Sequence, residues 1–368
     1  MKAIALVPGT TAVSLKDIPE PAIEHTDDIK IKIRQVGICG TDREQAEGGR
    51  ADAPPGKDDL IIGHEMFGQV VEAGPAVKNV RKGDFGVFTV RRGCGKCAAC
   101  ANGRSDMCLT GDYTERGIKG ADGFQAEFVV DRETYFVKVP KKMAEIGVLT
   151  EPMSVAAKAI DEALRVQQVR LNAFEDTDKW FRGKKALIAG IGPIGLMAAF
   201  ALRLRGVEVV GMDIVDEATL RPRVLRQIGG KYIDGRSTET RDLDDVLGQI
   251  DFVFEAAGIA KLQIQLIDAL GRNAIYVATG IPAGARPLTI NGAELMQQLV
   301  LKNQVVIGSV NAGIEHYKTA VEYLEASLEQ WPEAIRQVIT ERIPATDFKR
   351  ALEHHSKDEI KVVVEWMS

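Results

Sequence analysis

The sequence predicts an α/β chain in two parts, an antiparallel β domain followed by a doubly wound parallel sheet, and three observations carry that prediction. Short alternating segments broken by Gly and Pro fill roughly the first 150 residues. Strands then alternate with helices around the loop Gly190-Ile191-Gly192-Pro193-Ile194-Gly195. A last apolar strand at 360–365 (IKVVVE) cannot easily extend a parallel sheet without a crossover, so it is expected to return to the first part. With 368 residues the chain can build two cores. The expected division is 1–153 with 312–368 for the β domain and 154–311 for the parallel sheet.

Residues 3–7 and 29–36 (IKIKIRQV) alternate apolar and polar side chains, the period of half-buried strands. Pro8-Gly9 and Pro19-Glu20-Pro21 between them argue against a helix. The segments 63–73 (GHEMFGQVVEA) and 77–90, broken at Gly83-Asp84 and Gly86, extend a barrel-like antiparallel pattern. After Thr150 the period changes: 154–165 (SVAAKAIDEALR) reads as a helix, and a polar stretch at 171–183 follows without clear period. Strands are expected at 185–189, 207–212, 251–255, 273–278 and 304–310, alternating with helices at 196–204, 221–228, 261–270 and 294–301. A further helix is expected at 315–328.

A net charge of −5 gives no electrostatic reason to bind nucleic acid or an anionic membrane, so a small-molecule partner fits better. No window approaches the ~18–20 consecutive apolar residues of a membrane span. The start, Met1-Lys2 into AIALV, shows no signal-peptide pattern, which makes the cytoplasm the expected location.

Four of the five cysteines, Cys94, Cys97, Cys100 and Cys108, fall in RGCGKCAACANGRSDMCL. Four thiolates so close in sequence can close a tetrahedral shell around one zinc ion at little loop-closure cost. A closed shell leaves no open position, so such a zinc is structural; disulfides or buried free thiols are the alternative.

The glycines of 190–195 lie between a strand and a helix, where they allow a tight turn and close approach of a pyrophosphate. Gly190, Gly192, Pro193, Ile194 and Gly195 are therefore cofactor candidates. Asp213 ends the next strand, where a carboxylate accepts from ribose hydroxyls and repels a 2′-phosphate, favouring NAD over NADP. Arg221 and Arg223 follow and could instead hold a phosphate. Gly280 and Asn311, past the ends of later strands, join the cofactor candidates.

Cys39 lies in GICGTD, and His64 and Glu65 in GHE. Beside a nicotinamide site, a Cys, a His and a carboxylate form an open zinc site with room for a substrate oxygen. Thr41 can pass a proton from a bound alcohol toward solvent.

In this order GICGTD, GHE, the four-cysteine lobe and GIGPIG resemble the zinc-dependent medium-chain alcohol dehydrogenases over essentially the whole chain. Within them the sequence is most similar to the glucose (aldose) 1-dehydrogenase branch, through the run Thr110-Gly111-Asp112-Tyr113-Thr114-Glu115-Arg116-Gly117-Ile118, Asp122-Gly123-Phe124, Glu151-Pro152-Met153-Ser154 and Gly308-Ser309-Val310-Asn311. The resemblance implies a GroES-like β domain, a Rossmann domain, and an active site in the cleft of a homodimer or homotetramer. It implies Cys39, His64 and Glu151 as ligands of a catalytic zinc, with Glu65 bound directly or through water. Glu115, Glu151 and Asn311 would meet the sugar, giving two zinc ions per chain with NAD, or NADP, as cofactor. Where that branch usually has Asn or Gly followed by Arg, this chain has Gly211-Met212-Asp213-Ile214-Val215-Asp216, which again points to NAD. The expected reaction is oxidation of an aldose at C1 to the lactone. Two alternatives stand beside it: a polyol, secondary-alcohol or amino-alcohol dehydrogenase of sorbitol or threonine type, and a non-catalytic dinucleotide-binding protein.

Overall fold

The computed structural model describes residues 1–172, 177–284, 287–353 and 356–366. Residues 173–176 of the polar stretch 171–183 thus lie outside the described residues. The chain divides into two compact units. Met1–Ser154, Asn311–Leu328 and Ile335–Ser368 form one, and Val155–Val310 with Glu329–Ala334 the other. The insert Glu329–Ala334 joins the second unit, where the Trp331 ring packs edge-on against Phe200.

Eleven strands of the first unit precede the break: β1 Lys2–Leu6, β2 Val13–Asp17, β3 Asp28–Ile38, β4 Leu60–Ile61, β5 Glu65–Ala73, β6 Phe85–Phe88, β7 Arg91–Arg92, β8 Thr114–Arg116, β9 Gly120–Ala121, β10 Phe128–Arg132 and β11 Phe136–Lys138. The second unit holds β12 Lys185–Ala189, β13 Glu208–Asp213, β14 Lys231–Asp234, β15 Phe252–Glu255, β16 Ile275–Ala278 and β17 Val305–Gly308. Then β18 Ile339–Pro344 and β19 Lys361–Glu365 rejoin the first unit.

The main sheet of the first unit runs β11-β6-β5-β3-β19-β18, with β10 also pairing β3. Alternation along β3 buries Ile29, Ile31, Ile33 and Val36, and burial of such side chains contributes about 1.5–3 kcal/mol each. The last strand does return to this unit: β19 lies antiparallel to β3 and parallel to β18. The sequence reading missed β18, because ITERIP places polar residues where an apolar strand is looked for. In the β3–β5 ladder Gly37 stands opposite Glu65. A Cβ at Gly37 would collide with the Glu65 carboxylate, so glycine makes room for it.

The helix Thr150–Leu171 starts four residues before the expected 154. Pro152 falls in its first turn, where a missing N–H costs nothing, so it does not break the helix and Glu151 becomes part of it. The second unit carries a wholly parallel sheet ordered β14-β13-β12-β15-β16-β17. Leu187, Val210, Val253 and Tyr276 lie in its core. Strand β14 was also missed, being four half-exposed residues without a clear period. The expected helix at 261–270 ends early, as Ala260–Gln265. No helix among the described residues is long and apolar enough to cross a membrane.

Candidate metal centres and dinucleotide loop

Strand ends build the first centre. Cys39 follows β3 and caps the helix Gly40–Ala46, while His64 and Glu65 open β5, which is antiparallel to β3. One ligand atom from each of Cys39, His64 and Glu65 lies within 4.8 Å of the others, so the three fit a single metal ion. His64 and Glu65 are buried, and Cys39 is half-buried. Thr41 Oγ1 lies 3.9 Å from Cys39 Sγ.

Two residues that the sequence reading did not single out complete this environment. The Cys39 N–H donates to Asp42 Oδ2 at 2.8 Å, and Asp42 Oδ1 lies 3.6 Å from His64 Nδ1. That arrangement points Nδ1 away from a metal and leaves Nε2 for ligation. Burial alone would lower the His64 pKa, but the Asp42 charge outweighs it and holds the imidazole well above its usual value. Lys361, on β19, donates from Nζ to both Glu65 oxygens at 2.7 Å and to the Ile38 carbonyl at 3.1 Å. Its side chain is 2% exposed, so Glu65 is neutralised by a cation as buried as itself. The one available signal was a lysine opening the apolar run KVVVE.

Glu151 is buried at the start of its helix and is not one of the three clustered ligands. Burial first, and then the Glu65 charge, push its pKa up to about 7. A carboxyl poised there can hold or release a proton near neutrality.

Glu115 and Asn311 are brought together. Asn311 Nδ2 donates to Glu115 Oε1 at 2.8 Å, and Arg91 donates to the same oxygen at 3.1 Å and 2.9 Å. Among the described residues Glu115 Oε2 has no hydrogen-bond donor, so it can accept from a ligand hydroxyl.

The second centre is local. The sulfurs of Cys94, Cys97, Cys100 and Cys108 all lie within 4.8 Å of one another. All five cysteines are free thiols, and Cys94 Sγ sits 3.9 Å from Cys100 Sγ, far beyond a disulfide bond. Backbone N–H groups of Cys97, Cys100 and Leu109 point at sulfurs, at 3.4–3.5 Å. The Thr110 hydroxyl brings the Cys108 thiol down to about 5, while burial pushes Cys100 up to about 12. Four sulfurs with these donors fit a closed tetrahedral zinc site.

In the second unit the loop 190–195 follows β12 and leads into the helix Pro193–Leu204, which has Gly192 as its N-cap and Pro at its start. A Cβ on Gly195 would collide with the Gly190 carbonyl, so the helix packs this closely only with glycine there. Asp213 ends β13 and accepts from Ile191 N–H at 2.9 Å and Ile214 N–H at 2.7 Å. Arg221 Nη1 lies 3.9 Å from the same carboxylate. Gly280 lends its carbonyl to the Gln263 amide at 2.9 Å, beside the buried Glu255.

Comparison with known proteins adds relatives over the full length. Residues 25–141 match the family described as alcohol dehydrogenase GroES-like domain, and residues 144–366 match glucose dehydrogenase C-terminus. Glucose 1-dehydrogenase of Methanocella arvoryzae is 34% identical, with 99% of each chain covered. Glucose 1-dehydrogenase 2 of Vulcanisaeta moutnovskia is 35% identical over 99% of each. Among solved structures, Haloferax mediterranei glucose dehydrogenase in complex with NADP, Zn and gluconolactone superposes with a TM-score of 0.89 at 30% identity, covering 100% of both chains.

Proposed function

The chain belongs to the glucose dehydrogenase branch of the zinc-dependent medium-chain alcohol dehydrogenases, and from that premise we propose how its residues divide the work. It is an NAD(P)-dependent zinc oxidoreductase that oxidises the C1 hydroxyl of an aldose such as glucose to the lactone. The observation that carries the residue assignment is the meeting of Cys39, His64 and Glu65 at the ends of β3 and β5, apart from the four-thiol cluster.

Two zinc ions per chain follow, one held by Cys39 and His64 with an oxygen from Glu151, one by the four cysteines. Glu65, which meets Cys39 and His64 and whose oxygens also accept from Lys361, is held to that zinc directly or through water. Bound at the first centre, zinc would supply Lewis acidity toward the C1 hydroxyl, and bound NAD(P) would supply the hydride acceptor. Asp42 holds the His64 ring. Thr41 carries the hydroxyl proton outward. Glu115 Oε2 and the Asn311 amide engage sugar hydroxyls, positioned by Arg91. The glycines of 190–195 take the pyrophosphate, with Gly280 beside them.

Asp213 disfavours a 2′-phosphate, so NAD is the preferred cofactor although Arg221 stands beside it. The assembly is a homo-oligomer in the cytoplasm. Its contact is the open edge of the second unit's sheet, where β17 has one neighbour and Val300, Leu301, Val306 and Val310 are exposed.

Initial rates across aldoses and polyols, each with NAD and NADP, test this reading. Aldose turnover with higher kcat/KM for NAD supports it. Turnover of polyols but not aldoses would replace the assigned sugar contacts, and a preference for NADP would remove the role given to Asp213.

A further inference from the structure

A cavity of about 460 Å³ lies in the first unit on the far side of β8, and the reaction above makes no use of it. Neighbouring residues of a strand face opposite ways. Glu115 turns to Arg91 and Asn311, whereas Arg116 lines the cavity.

Arg116 is poorly matched by its surroundings. Its Nε is enclosed without a hydrogen-bond acceptor. The nearest carboxylate, Asp131 Oδ2, is 3.7 Å away and already accepts from Arg92 Nε at 3.2 Å and Nη2 at 2.7 Å. Two guanidinium groups therefore share that carboxylate, the Asp122 charge is a weaker second counterweight, and Arg116 otherwise rests over the Phe124 ring at 5.1 Å. Burial pulls its pKa below the ordinary guanidinium value. The lysines at the rim do not add to this excess, because Lys57 pairs with Asp122 at 2.5 Å and Lys16 pairs with Asp59. The Arg116 side chain is 17% exposed, and its Nη groups are the donors open to an acceptor in the cavity.

Apolar side chains of Ile18, Ile61, Phe128, Val129 and Val130 line the cavity, beside the Lys57–Asp122 and Lys16–Asp59 pairs and Met1, whose ammonium donates to the Ile18 carbonyl at 2.8 Å. A planar fork of donors suits a carboxylate, and hydrocarbon walls suit a hydrocarbon body. The volume falls in the usual range for small-molecule sites, about 300–1,000 Å³. We propose that this cavity binds a small organic carboxylate, with its anionic end on Arg116 and its hydrocarbon body against Ile18, Phe128 and Val130. An uncharged sugar would leave Arg116 unmatched, and an inorganic anion would leave the apolar walls wet. The site is thus distinct in chemistry from the sugar site, and it stands whether or not the assignment of Glu115 holds.

Isothermal titration of the zinc-loaded protein with hexanoate, hexanamide and inorganic phosphate tests it. Hexanoate is expected to bind saturably, one per chain, with hexanamide and phosphate weaker by about tenfold or more. Arg116→Gln should weaken hexanoate by a similar factor. Ile18→Trp, at a half-exposed loop position, fills the cavity while keeping Arg116 and should do the same. Absence of saturable hexanoate binding, equal binding of phosphate, or binding that persists in Ile18→Trp overturns the proposal. The last result would place the ion elsewhere, the Cys39 centre included.

Discussion

The two candidate metal centres of the first unit are built in opposite ways. The four-thiol set takes every ligand from between Cys94 and Cys108 and sits half-exposed, so its own loop and backbone N–H groups suffice to shape it. The Cys39 set draws on the ends of β3 and β5, with Lys361 of β19 behind Glu65, and His64, Glu65 and Lys361 are buried. Each of those charges needs a partner supplied by the fold. Asp42 serves His64, and Lys361 serves Glu65 across 296 residues of sequence. A centre that keeps its valence closed can be local and partly wet. One that must leave a position open for substrate has to be dry, and a dry centre has to be balanced from a distance.

Cys39→Ser tests this division most severely. We expect kcat/KM to fall by about 10³-fold, roughly 4 kcal/mol, with metal analysis dropping from two zinc ions to one per chain. Loss of both ions together would show that the centres are not independent. Lys361→Met should next destabilise the fold by about 3–5 kcal/mol, read by denaturant unfolding, because it strands the Glu65 carboxylate. An unchanged midpoint would mean that Glu65 is not balanced as described.

Glu151→Gln is expected to lower kcat/KM by about 10²-fold. Its pKa is raised to about 7, so the carboxylate form fills in as pH rises through that value and is lost below it. Zinc uptake by the metal-free protein should accordingly strengthen through neutrality, and the variant should lose that limb of the pH profile. Retention of the limb would assign it to another group. Cys97→Ser should cost least in chemistry. A fall in Tm of roughly 5–10 °C with most activity retained in the folded fraction fits a bracing role. Abolished turnover at unchanged Tm would contradict it.

What the chain's letters made legible follows the same contrast. The thiol quartet and the loop 190–195 stand out because their chemistry is written in adjacent residues. So does the strand-helix alternation of the second unit, whose buried segments are long and strongly apolar. Cys39, His64 and Glu65 could be paired only through their motifs. Asp42 and Lys361 escaped notice because an aspartate after a threonine and a lysine at the head of a strand carry no signal until β3, β5 and β19 lie side by side. The contact of Glu115 with Asn311 joins residues 196 apart, beyond the reach of any local pattern. The start of the helix at Thr150 was also missed, because the apolar spacing becomes clear only from 154 onward.

The late arrival of β19 has a consequence for synthesis. As the chain leaves the ribosome, β3 and β5 can pair and bring Cys39, His64 and Glu65 together while Lys361 is still some 300 residues from being made. In that interval Glu65 has no counter-ion, and the half-built centre carries more negative charge than the finished one. Insertion of the final strand is therefore the step that balances the Glu65 charge, long after Cys39 and His64 are in place.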